Sequence, residues 1–119
     1  SKRVVNPDLY NREILMTKDD LREERGYYRT FLYGSPNEKI AALDWLQACR
    51  SWDAKRWVQG LLFDNSPAVR ERTARFIAET DYLPFLSDLE AACRVERDEQ
   101  TKQKMVKYLE HLKALLPHK

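Results

Sequence analysis

Three glycines, two cysteines and two histidines in 119 residues exclude a good deal of chemistry at once. Gly26, Gly34 and Gly60 stand alone, so there is no glycine-rich loop to cradle a phosphate. Cys49 and Cys93 lack metal-ligand spacing. Their contexts, "LQACRSW" and "EAACRVE", read as two small core residues in a reducing compartment rather than a disulfide or redox pair. His111 and His118 belong to no His-Glu-x-x-His or Cys-x-x-Cys arrangement, which argues against a metal site. No apolar run approaches about 20 residues and the N-terminus has no signal-peptide core, so neither a membrane span nor an export address is expected, and the cytoplasm is the expected compartment. A net charge of +2 is too near balance to argue by itself for nucleic acid or an anionic membrane. Any electrostatic case must come from where the charges lie.

What remains is 43% hydrophobic and 34% charged, a balance that favours a helix-rich folded chain over a disordered or β-rich one. The length suits one compact domain. A start at Ser1 without Met is expected of a processed chain or a piece of a longer protein.

The chain repeats itself. A shift of 31 to 32 residues lays Ser35-Pro36 over Ser66-Pro67, Lys39 over Arg70 and Lys102, Trp45 over Phe76 and Tyr108, and Leu46 over Ile77 and Leu109. The same shift lays Phe31-Leu32 over Leu62-Phe63, so the helix before each Ser-Pro turn repeats too and the unit is a pair of helices. Ser35 and Ser66 are expected N-caps, with Pro36 and Pro67 tolerated at the first helical position because that N–H has no helical partner. Val69, Thr73, Phe76 and Ile77, and then Thr101, Met105, Tyr108, Leu109 and Leu112, keep the spacing that lines one helix face. The first helices are expected at 18–33, capped by Thr17, at 52–64, opened by Ser51, and at 83–96, where Asp81 and Pro84 mark the start. Short connections make neighbouring helices antiparallel. Ahead of them, "NPDLYNREILM" reads as a short helix with Asn6 as cap and Pro7 at its first position.

The pattern D-x-x-P-x-V-R-x-x-(T/A)-x-x-x-(L/I), carried by Asp64, Pro67, Val69, Arg70, Thr73 and Ile77, resembles the second-helix signature of HEAT repeats, of the short kind also found in phycobilisome-lyase-like proteins. The resemblance spans about residues 18–115 and is strongest in the middle pair. The first copy has Glu38 where Val69 stands, and the third opens with "DEQTKQ" and no proline; terminal repeats are commonly atypical because they cap the stack. The resemblance implies an array that presents its second helices along one concave surface to a protein partner, and it supplies no chemistry. HEAT-like di-iron hydroxylases use His-Glu dipeptides, whereas this chain has only the reversed Glu110-His111. Acidic pairs such as Asp19-Asp20 and Glu23-Glu24 read as helix-start charges facing water. No enzyme activity and no cofactor are expected.

Two readings stand for Arg70 and its equivalents Lys39 and Lys102: a structural pairing with an acid such as Asp64 that keeps successive units in register, or a ladder of ligand-binding cations. A second column, offset from the apolar stripe, holds Ala41, Asp44 and Ala48, then Arg72, Arg75 and Glu79, then Lys104, Lys107 and His111. It is expected to face outward, giving a patch dominated by Arg72, Arg75, Lys104 and Lys107 and suited to an acidic partner, unless it is simply a solvated face. Trp45, Phe76 and Tyr108 read as core between stacked pairs. Of Trp52 and Trp57, one is expected to be partly exposed and a reasonable protein-contact anchor, and Tyr27 and Tyr28 cannot both face a core.

The expected architecture is all-α: an α-solenoid of about three HEAT-like antiparallel helix hairpins, 18–49, 52–79 and 83–115, behind an N-terminal segment at 1–17 with its short helix. The expected function is that of a protein–protein interaction or scaffold module contacting its partner through Arg72, Arg75, Lys104, Lys107, His111 and Trp52. The runner-up is nucleic-acid binding through a basic helical face. A lyase-like accessory to a chromophore protein comes third.

Overall fold

The computed structural model describes residues 29–48 and 58–117, and among these every regular element is helical, without strand. The expected N-terminal helix, residues 18–28 of the first long helix, Cys49, Trp52, Trp57, Tyr27 and Tyr28 lie outside the described residues. The chain divides into two compact units, Ser1–Trp57 and Val58–Lys119.

In the first unit, residues 29–33 are helical and α1 spans Pro36–Ala48. Gly34 joins them, its N–H donating to the Thr30 carbonyl at 2.8 Å. A Cβ at Gly34 would stand 2.7 Å from that oxygen and 2.8 Å from Thr30 Cγ2, so only a residue without a side chain lets the chain turn here unaltered. A reciprocal capping box then opens α1. The Ser35 N–H donates to Glu38 Oε1 at 2.8 Å and the Glu38 N–H donates to Ser35 Oγ at 3.2 Å. Glu38, which departs from the Val69 pattern, thus closes the cap of the first copy. Ala42, Leu43 and Leu46 form the buried stripe of α1.

The second unit begins with a 3₁₀ turn, Gln59–Phe63, and continues through α2, Pro67–Glu79, a second 3₁₀ turn, Leu83–Phe85, then α3, Leu86–Val95, and α4, Glu99–Lys113. The first 3₁₀ turn packs on α2 and on α3, while α4 packs on both α3 and α2. Within this unit the first 3₁₀ turn and α2, α3 and α4, and α2 and α4 thus lie against one another. Phe85, Leu62, Ile77, Leu89, Met105 and Leu112 are fully buried at this junction. Side chains of this size each contribute roughly 1.5–3 kcal/mol when taken out of water.

The helix starts are local events. Ser66 Oγ accepts from the Val69 N–H at 3.3 Å, Asp64 Oδ2 accepts from the Ser66 N–H at 3.0 Å, and Pro67 occupies the first turn of α2. In α4 the missing proline is immaterial, because Asp98 Oδ2 accepts from both the Thr101 N–H, at 2.9 Å, and the Thr101 hydroxyl, at 2.6 Å.

The start expected at Asp81 and Pro84 differs from the structure. Asp81 belongs to the end of α2: it adopts φ 52°, the Tyr82 N–H donates to Ile77 O at 3.0 Å, and the Asp81 N–H donates to Ala78 O at 3.1 Å. These two bonds close a Schellman motif in which aspartate holds the left-handed position usually given to glycine. Pro84 lies in a 3₁₀ turn that leads into α3 without a side-chain cap. Tyr82 stacks edge-on against buried Phe85, with ring centroids 4.8 Å apart, which fixes the corner. The expected 52–64 helix is described from Val58 and finishes as the 3₁₀ turn ending at Phe63.

Candidate partner-binding surface

Arg70 is engaged at all three of its guanidinium nitrogens. Its Nε and Nη2 donate to the two carboxylate oxygens of Glu96 at 2.7 and 2.9 Å, and its Nη1 donates to the carbonyls of Asp64 and Asn65 at 2.7 and 3.1 Å. The acid that pairs with Arg70 is thus Glu96, not Asp64, whose contribution is a backbone oxygen. Glu96 lies in the connection between α3 and α4, so the bond joins α2 to that connection. The Glu96 side chain is 1% exposed and that of Arg70 18%. Glu96 also accepts from the Asp98 N–H at 3.1 Å, which ties the clamp to the cap of α4. The guanidinium holds the Glu96 carboxyl below its ordinary range, and the carboxylate in turn raises the Arg70 value. This geometry supports the structural reading of Arg70. Lys39 and Lys102, at the corresponding places, are half-buried.

The outward patch is corrected at one of its members: Arg72 is buried, only 6% exposed. Its place in the helix explains this, since it falls three residues after buried Val69 and four before buried Phe76. α2 is covered on two flanks, as buried Ala74 and Ala78 show, whereas α4 buries only the stripe Thr101, Met105, Leu109 and Leu112. A cation at this helical position is therefore enclosed on α2 and free to reach water on α4. Lys104 and Lys107 are exposed on α4, Arg75 is half-buried, and its Nε is buried without a hydrogen-bond partner. His111 is exposed but engaged, its Nε2 lying 2.8 Å from Asp81 Oδ1. That contact links the end of α4 to the corner after α2. In the first unit, Ala41, Asp44 and Ala48 are exposed on α1, the face expected for that column.

The aromatic column is graded in burial. Phe76 is buried, while Trp45 and Tyr108 are half-buried. The Tyr108 hydroxyl donates to Glu71 Oε2 across the α2–α4 contact. Burial first, and the bond to Glu71 second, push the Tyr108 phenol up to about 12. Cys93 is buried on α3, as expected of a core thiol, and burial pushes its value up. Among the described residues no group of three or more potential ligands could hold a metal ion, and no helix is long and apolar enough to cross a membrane.

One feature of the second unit went unread in the sequence. Phe63, ending the first 3₁₀ turn, and Val95, ending α3, are 50% and 60% exposed. They border a cleft floored by Leu62 and Ala92 and by the Arg70–Glu96 pair, with Arg97 on its rim. The signal was available: Val95 stands 32 residues after Phe63, the repeat period itself. Compared with known proteins, the chain matches no family model, no curated protein and no solved structure.

Proposed function

We propose that the chain is a protein–protein interaction module built from HEAT-like helix hairpins, stacked as a short solenoid of about three pairs, with a preference for an acidic partner. The observation that carries this reading is the pairing in the second unit: α2 lies on α4, the preceding 3₁₀ turn lies on α3, and Arg70 clamps Glu96 across successive pairs. Pairs that bury one another in this way leave long helix faces in water, and such faces serve as binding surfaces in repeat proteins. Lys104 and Lys107 on α4 supply the accessible cations of that surface, with Arg75 at its flank. Arg72, being buried, supports the fold instead, and Trp52 lies outside the described residues.

The test is capture of a partner from native extract by the immobilised chain, before and after nuclease treatment. The Lys104→Glu/Lys107→Glu variant should keep its thermal stability, because exposed charges contribute only about 0–1 kcal/mol each. It should capture less of the partner, because association loses its electrostatic steering and with it most of its acceleration at low salt. Retention that vanishes with nuclease, together with a steep loss on a DNA column between low and physiological salt, would replace this reading with nucleic-acid binding.

A further inference from the structure

The starts of α2 and α4 are one kind of turn built twice, 32 residues apart. In the first, Asp64 Oδ2 accepts from the Ser66 N–H at 3.0 Å, and Ser66 Oγ accepts from the Val69 N–H at 3.3 Å. In the second, Glu96 Oε2 accepts from the Asp98 N–H at 3.1 Å, and Asp98 Oδ2 accepts from the Thr101 N–H at 2.9 Å. The acid also ends the preceding element each time. The Asp64 N–H donates to Leu61 O at 3.2 Å, closing the first 3₁₀ turn, and the Glu96 N–H donates to Cys93 O at 3.4 Å, closing α3.

Arg70 bridges the two turns. Nη1 donates to the carbonyls of Asp64 and Asn65 in the first, while Nε and Nη2 donate to the Glu96 carboxylate in the second. The guanidinium is a planar fork with fixed donor directions, so the orientation that serves one turn is set by the other. If the backbone at Asp64 and Asn65 moves away, the fork loses the two acceptors that aim it, and a Glu96 side chain only 1% exposed loses its partner. If Glu96 moves away, Nε and Nη2 lose their acceptors in a side chain that is itself only 18% exposed. Leaving a buried charge unpaired disfavours either half-open state by roughly tenfold or more. Helix ends without such a bridge fray separately and at little cost.

We infer that Arg70 makes the starts of α2 and α4 a single latch, two turns that open and close together across 32 residues of chain. The latch does not depend on what the chain binds. On the reading of the chain as an interaction module it has one consequence: it holds the helix that carries Lys104 and Lys107 in register with Arg75 on α2.

Native-state hydrogen exchange of the full chain, followed by NMR, tests the latch at the amides of Arg70 and Lys102, which donate to the Ser66 and Asp98 carbonyls at 3.0 and 2.8 Å. In the wild type the two amides should share one opening constant, larger than that of the Ala74 amide in the middle of α2. Asp98→Ala removes a side-chain cap from α4 alone, yet should raise the constant about fivefold at both amides. Ser66→Ala should do the same from the other end. With Arg70→Met/Glu96→Leu in place, each cap substitution should reach only its own helix start. Should that double variant lose its helical spectrum, Glu96→Gln, which weakens the bridge and keeps its shape, should lessen the shared response instead. Three results overturn the inference: Asp98→Ala acting at Lys102 and leaving Arg70 unchanged, wild-type constants at both amides equal to that of Ala74, or a shared response that persists undiminished once the bridge is removed or weakened. No partner enters the measurement, so independent caps would leave the interaction module standing, and failure to capture a partner would leave the latch standing.

Discussion

Arg70 and Glu96, 26 residues apart, share two parallel N–H···O bonds of 2.7 and 2.9 Å that fasten α2 to the connection between α3 and α4. The carboxylate is the more deeply buried partner, and that asymmetry decides what each substitution does. Arg70→Met leaves an uncompensated buried carboxylate and should lower stability by about 3 kcal/mol. Replacing both partners, Arg70→Met/Glu96→Leu, should recover a large part of that loss, since a buried ion pair is often no more stabilising than well-packed apolar side chains. Denaturant unfolding of the wild type, both single variants and the double variant measures the coupling, and additive losses would contradict it.

The same pair predicts an acid limb. Glu96 titrates lower in the folded chain than in the unfolded one, so its contribution is fully present above the ordinary carboxyl value. It is lost as pH falls below about 4.3 and through the depressed folded value. Thermal midpoints of wild type and Glu96→Gln should therefore converge in that range. A gap that stays constant from neutral pH down to full protonation would mean that the clamp contributes no charge-dependent stability.

At the alkaline end Tyr108 should behave oppositely. Its folded value, about 12, lies above that of a free phenol, so its contribution is intact below about 10 and declines as pH rises from there to about 12. Subtracting the ultraviolet titration of Tyr108→Phe from that of the wild type isolates this phenol. A midpoint near that of free tyrosine would show that neither burial nor Glu71 acts on it.

Asp81 sets two small effects against each other. A left-handed backbone at a residue with a Cβ costs roughly 1–2 kcal/mol, less for Asp than for most, and glycine removes that cost. The exposed contact with His111 contributes no more than about 1 kcal/mol. Asp81→Gly should therefore change stability little or raise it by roughly 0.5 kcal/mol, despite losing the contact with His111. A clear fall in the thermal midpoint would show that the link from the α2 corner to the end of α4 is stronger than its exposure implies.

Helix starts were legible in the sequence because a cap is settled within four residues. Ser35 with Glu38, Ser66 with Val69 and Asp98 with Thr101 all use side chains and N–H groups of the same turn. Gly34 ends the preceding helical stretch through an equally local contact, with Thr30. Asp81 was misread for a related reason: aspartate suits both a helix start and a left-handed helix end, and the backbone bonds from Tyr82 to Ile77 and from Asp81 to Ala78 select the second.

The all-helical class, the period of about 32 residues and the apolar stripes were determined by sequence alone, since each follows from spacing along one chain. Which cations reach water was not. Arg72 and Lys104 sit at matching helical positions and look alike in the repeat, yet α2 is enclosed on two flanks and α4 on one, so the first is buried and the second exposed. The partner of Arg70 was likewise decided in three dimensions. Asp64 is six residues away and Glu96 is 26, and only the packing of α2 on α4 brings the more distant carboxylate to the guanidinium.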